Sequence, residues 1–153
     1  RSGGALAHLT LLGLARHPQI FAVKESKADL IATSRLLAAC DLAVYCGTAA
    51  LNLPLLSVGA VGFVSVVSHV VTEQLVELLN AYLAGDVARA ASINVALAPV
   101  YSGLFRNQGV ILTKAALALL DFPVGPVRLP LVEATTEEIA VLTADLVAGG
   151  VLA

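Results

Sequence analysis

The run Ile20-Phe21-Ala22-Val23-Lys24-Glu25-Ser26 sets a lysine directly behind an apolar, strand-like stretch, in a chain of which only 13% is charged. A lysine amine desolvated by apolar neighbours loses part of its preference for the charged form. The neutral amine is the nucleophile that attacks a carbonyl to form a Schiff base. Lys24 is therefore the first candidate for chemistry, although a lysine at a strand end more often lays its stem along apolar surface and keeps its ammonium in water. Other candidates are weaker. Ser65 and His69 stand four apart with no acidic partner close in sequence, a poor basis for a Ser-His nucleophile. Lys27 reads as a solvated-face lysine and Lys114 as a helix-start lysine. Cys40 and Cys46 match neither a C-x-x-C pair nor a zinc pattern with His8, His17 and His69, and read as buried free thiols. No metal site is indicated.

The elements that must position Lys24 follow from the hydrophobic pattern. The runs 20–24, 42–47 and 61–66 are short and apolar with little polar alternation, the mark of parallel strands covered on both faces. Between them, Lys27–Cys40 and Ala49–Val58 carry leucines at helical spacing, with Pro54 near a first turn. Strand ends fall near Lys24, Cys46 and Val66, so the series is β-α-β-α-β, a piece of a barrel or of an open α/β sheet. Lys24 then lies at the carboxyl end of a strand, where α/β barrels place catalysis. Past Gly85-Asp86 the pattern turns helical, over 87–104, 114–120 and 136–147. Thr135 and Glu138 form a capping-box signature, and Asp121–Leu131 is a proline-rich connector. The expected division is a partial barrel over 1–84 and a helical domain over 85–153.

Composition narrows the classes of function. Hydrophobic residues make up 58% of the 153 residues and mean hydropathy is +0.89, which calls for either a membrane or deep burial. The uncharged stretch from Leu42 to Thr72 is long enough to span a bilayer. It is broken by Gly47, Asn52, Pro54, Gly59, Gly62, Ser65, Ser68 and His69 and lacks flanking basic anchors, so no membrane span is expected. Nine Lys and Arg are scattered without a run, which argues against nucleic acid. The chain starts at Arg1 and contains no methionine, so it reads as a piece of a longer product. Nothing resembles a signal peptide, and the free thiols suit a reducing cytoplasm.

The heptapeptide from Ile20 to Ser26 resembles the Schiff-base lysine motif of the pyruvate-dependent aldolase superfamily: aliphatic, any, small, aliphatic, Lys, acidic, small. The resemblance extends over essentially the whole chain. Gly47–Val70 is similar to the two βα units that follow the lysine in the dihydrodipicolinate synthase family, and Leu104–Leu131 is similar to its C-terminal helical segment. This implies an α/β fold, the C-terminal part of a (β/α)8 TIM barrel of about three βα units, followed by a helical segment.

The resemblance also implies roles. Lys24 would form the Schiff base with pyruvate, and Arg1, in the opening Arg1-Ser2-Gly3, would hold the carboxylate of the aldehyde substrate, L-aspartate-4-semialdehyde. Gly47 would let backbone approach the bound keto acid, and the carbonyl of Val64 would face the lysine while its side chain packs in the core. No cofactor or metal is implied, since the lysine itself is the electron sink. A homotetramer in the cytoplasm is implied for the complete enzyme. Two departures stand out. Thr48 and Ala49 follow Gly47 where the family has acidic or amide residues, and the family's proton-relaying tyrosine and threonine would lie upstream of Arg1. Two alternatives stay open: a sister lyase acting on a sialate or 2-keto-3-deoxy sugar acid, which an arginine at position 1 disfavours, and a non-catalytic half-barrel that pairs through its open sheet edges.

Overall fold

The computed structural model describes residues 4–153, which divide into two compact units, one ending at Ser65 and one beginning at Val66. The first unit contains α1 (His8–Leu14), β1 (Ala22–Glu25), α2 (Leu30–Ala39), β2 (Ala43–Cys46), a 3-10 turn at Ala49–Leu51 leading into α3 (Asn52–Ser57), and β3 (Gly62–Phe63). The strands form a parallel sheet in the order β1-β2-β3, with Lys24 opposite Tyr45 and Glu25 opposite Cys46. Tyr45 in turn lies opposite Gly62.

Side chains alternate across a strand, so this register sorts the sheet into two faces. Val44 and Cys46 are fully buried in one core with Leu11, Leu36, Leu55 and Ala60, and Val23 and Phe63 pack against it. Lys24 and Tyr45 occupy the other face. Within this unit the helices cover only the first face, so the two-sided burial expected from the apolar runs is found on one side alone. The strands are also shorter than their apolar runs. Of the stretch 61–66 only Gly62 and Phe63 form β3, flanked by the Val61 and Val64 amides, which donate to the Val44 and Cys46 carbonyls.

The βα connections are pinned by local chemistry. Asp29 caps α2, its Oδ1 accepting from the Ala32 amide at 2.9 Å, while the Thr33 hydroxyl donates to the Asp29 carbonyl at 2.9 Å. The residue before the cap, Ala28, sits at φ 64°, a left-handed conformation that costs a residue bearing a β-carbon.

The second unit is helical: α4 (Ser68–Leu83), α5 (Val87–Ala96), α6 (Ala98–Gly103), α7 (Gly109–Leu119) and α8 (Thr136–Ala148). Within it α4 packs along α5. Asp86 caps α5 through the Arg89 amide at 2.9 Å. The capping box at α8 is present, with the Thr135 hydroxyl accepting from the Glu138 amide and the Glu138 carboxylate accepting from the Thr135 amide.

Helices α6 and α8 approach closely. A β-carbon on Gly103 would lie 2.8 Å from that of Asp145, so only glycine admits the contact. Arg106 then closes it with a two-pronged pair to Asp145, at 2.7 and 2.9 Å.

Helix α7 begins five residues before Lys114, which is therefore mid-helix and not at a helix start. Its ammonium donates to the carbonyls of Val124, Gly125 and Pro126 at 3.3, 3.2 and 2.8 Å. A connector without regular pairing is thereby tied to α7.

Candidate active site

The carboxyl ends of β1 and β2 meet at Lys24 and Gly47. The Gly47 amide donates to the Glu25 carbonyl at 2.7 Å, which continues the parallel ladder one residue past β2. At that point the Gly47 α-carbon faces the Lys24 side chain. A β-carbon there would lie 2.4 Å from Lys24 Cε, 2.9 Å from Lys24 Cγ and 2.1 Å from Ser26 Oγ. The space an ordinary residue would fill is taken by the lysine stem and a hydroxyl.

Glu25 fixes the turn that follows. It is only 7% exposed, and its Oε1 accepts from the Lys27 amide while its carbonyl holds Gly47. A buried carboxylate needs such partners, and here the partner is the backbone of its own turn. Lys27 is further tied by its ammonium, which donates to the Leu6 carbonyl. On the core side of the sheet, Cys46 is fully buried and its thiol donates to the Thr48 carbonyl at 3.1 Å. Burial is the main cause that pushes this thiol up from its ordinary pKa, and the Glu25 carboxylate acts in the same direction.

Of the residues singled out from sequence, the structure brings Lys24 and Gly47 into direct apposition. Val64 follows β3, and its amide donates to the Cys46 carbonyl at 2.8 Å. Its side chain was expected in the core but is 47% exposed, because it lies beyond the two-residue strand. Arg1 lies outside the described residues.

Lys24 is exposed on the uncovered face of the sheet, so the desolvation expected of its amine is not supplied by this unit's helices. Two neighbours were not anticipated. Ser26 reaches the Gly47 niche, and Tyr45 stands directly across from Lys24. The two-residue spacing of Lys24 and Ser26, and of Tyr45 and Gly47, was the available signal, since such spacing puts side chains on one face.

Among the described residues no group of three His, Cys, Asp or Glu is placed to hold a metal ion, and no helix is long and apolar enough to cross a membrane. In the second unit a cavity of about 630 Å³ is lined by Val66, His69, Thr113, Lys114 and Leu117 among others, and its walls are mainly apolar. No acidic residue lines that cavity beside His69, so the orienting partner of a Ser-His nucleophile is not found there.

A parallel sheet of βα units, with a lysine at one strand end and a glycine clearing the space beside it, defines a portion of an α/β barrel of the TIM type. Solved structures share it. DHDPS from Cyanidioschyzon merolae, determined with lysine bound, superposes with a TM-score of 0.94 at 36% identity, covering 99% of this chain and 52% of its own.

The chain belongs to the dihydrodipicolinate synthetase family, whose model matches residues 1–148. Among curated relatives, 4-hydroxy-tetrahydrodipicolinate synthase 2 of Streptomyces coelicolor is 53% identical over 151 residues, 99% of this chain and 50% of the relative. The 4-hydroxy-tetrahydrodipicolinate synthase of Acidothermus cellulolyticus is 49% identical over 150 residues, 98% of this chain and 49% of the relative. The chain thus spans about half the length of the curated relatives it matches.

Proposed function

We propose that this chain carries the Schiff-base lysine of a 4-hydroxy-tetrahydrodipicolinate synthase, a lyase of lysine and diaminopimelate biosynthesis, and that Lys24 is that lysine. The observation that carries the reading is the packing of Lys24 against Gly47 at the carboxyl ends of adjacent parallel strands. The relatives' names support the choice of reaction.

In this reading the neutral Lys24 amine attacks C2 of pyruvate. The new C–N bond displaces the carbonyl π pair onto oxygen, which takes up a proton, and loss of water leaves the protonated imine. The imine nitrogen draws electrons from C3, a C3 proton departs, and the resulting enamine adds to the aldehyde carbon of L-aspartate-4-semialdehyde, whose π pair moves to oxygen and takes up a proton while the imine re-forms. Attack of the substrate's own amino group on C2 then releases the Lys24 amine. Arg1 would pair with that aldehyde's carboxylate through its planar guanidinium. Gly47 clears the lysine's path, and the Val64 carbonyl would face the imine. We place the enzyme in the cytoplasm, in keeping with the free thiols Cys40 and Cys46, and as a homotetramer when complete.

Reduction with borohydride in the presence of pyruvate tests the reading. A lactyl-type mass is expected on Lys24 ahead of Lys27 and Lys114. Equal labelling of the three would overturn it. A chimera in which this chain replaces the matching half of the Streptomyces coelicolor relative is expected to turn over both substrates.

A further inference from the structure

We infer that Ser26 is a positioning residue for Lys24, its hydroxyl standing beside the lysine's terminal methylene in the niche that Gly47 leaves open. Three observations carry this. Ser26 Oγ and Lys24 Cε lie 2.1 and 2.4 Å from one and the same point, the place of a missing Gly47 β-carbon, so they are no farther apart than the sum of those distances. Ser26 is also clamped from both sides by a single residue. Glu25 holds Gly47 through its carbonyl and Lys27 through its buried carboxylate, so the backbone bearing the hydroxyl is fixed relative to both strands. Finally, Ser26 is exposed, and its hydroxyl lies on the Lys24 side of the sheet and not in the core.

A hydroxyl suits this place because its oxygen can accept an N–H. From there it can accept from the ammonium before reaction and from an N–H of the free amine, leaving the lone pair for attack, and in each state it would bias the lysine towards one rotamer. Attack on a carbonyl requires that the amine reach the carbon from a narrow range of directions. Restricting the amine's orientation raises the rate without altering the chemistry. The inference rests on the proposed role of Lys24 and adds a residue that the heptapeptide resemblance treats only as small.

The test uses the full chain and three forms of it, the parent, Ser26→Ala and Ser26→Thr. Pyruvate and cyanoborohydride are the probes, and labelling of each lysine is followed by mass spectrometry from neutral to alkaline pH. Attack needs the neutral amine and reduction needs the protonated imine, so each profile rises to a short plateau and falls again; comparing the plateau values removes a shift in ionisation and leaves orientation. Ser26→Ala is expected to lower the Lys24 plateau about tenfold, the effect of losing one hydrogen bond to a charged or reacting group. Ser26→Thr, which restores the hydroxyl, is expected to return it to within about threefold of the parent. The rate at Lys27 should not change, and it reports on folding in the same digest. An unchanged Lys24 plateau in Ser26→Ala, or a threonine form as slow as the alanine form, overturns the inference while leaving Lys24 as the Schiff-base residue. A parent chain whose Lys24 labels no faster than Lys27 and Lys114 overturns the proposed function, and this inference with it.

Discussion

Lys24 and Gly47 share one volume: the lysine stem occupies the place where any side chain on Gly47 would begin. Gly47 has no left-handed backbone to explain it, so its role is clearance.

Gly47→Ala should therefore displace the lysine while keeping the sheet. The nearest atoms are a serine hydroxyl and a lysine methylene, both on side chains that can swing away. The expected outcome is a loss of pyruvate-dependent labelling at Lys24 of about a hundredfold, the scale of misplacing a reacting group by an ångström. Circular dichroism and cooperative unfolding should be nearly unchanged.

Lys24→Arg tests the nucleophile itself. The guanidinium keeps the positive charge but does not become a neutral amine at accessible pH. In the chimera with the Streptomyces coelicolor relative, turnover should fall to background with the thermal midpoint held. Retained turnover would remove Lys24 from the mechanism.

Ala28→Gly should stabilise the chain. Ala28 is held at φ 64° directly before the cap of α2, and the strain on its β-carbon exceeds the extra entropy glycine loses on folding. The net gain is roughly 0.5–1 kcal/mol, read from chemical denaturation. Loss of stability would mean that the alanine methyl contributes packing that outweighs its strain.

Cys46 gives a pH dependence with a definite sign. Burial raises its thiol above the ordinary value, so the folded chain holds the proton more tightly than the unfolded chain does. The stability this contributes is present below the ordinary thiol pKa and is lost as pH rises through the raised one. Denaturation above neutral pH should show that decline, and Cys46→Ala should flatten it. In alkylation, Cys40, which is partly exposed, should react well before Cys46.

What the sequence made legible was whatever is written in local pattern. The apolar run before Lys24 became β1, and Thr135 with Glu138 became a working capping box because both partners lie within one turn. Helix α7 starts at Gly109 and not near 114, its first turn held by Gln108, whose side chain accepts from the Val110 amide at 3.2 Å. That α4 packs along α5 shows only in three dimensions. Ser26 was seen as a small residue filling a pattern. That its hydroxyl meets Gly47, more than twenty positions on, is a fact of strand register, which no local spacing encodes.

That register carries a further consequence. β1 has four residues and β3 two, so few ladder bonds hold the alignment. A slip of one residue in a strand exchanges its two faces. In β1 it would turn Lys24 towards the core and present Glu25 in its stead, replacing an amine with a carboxylate, which has no lone pair able to form an imine. The bonds from Ala43 to the Phe21 carbonyl and from Gly47 to the Glu25 carbonyl, at 2.9 and 2.7 Å, bracket the strand at both ends. They act as a reading-frame lock, deciding which functional group the sheet displays.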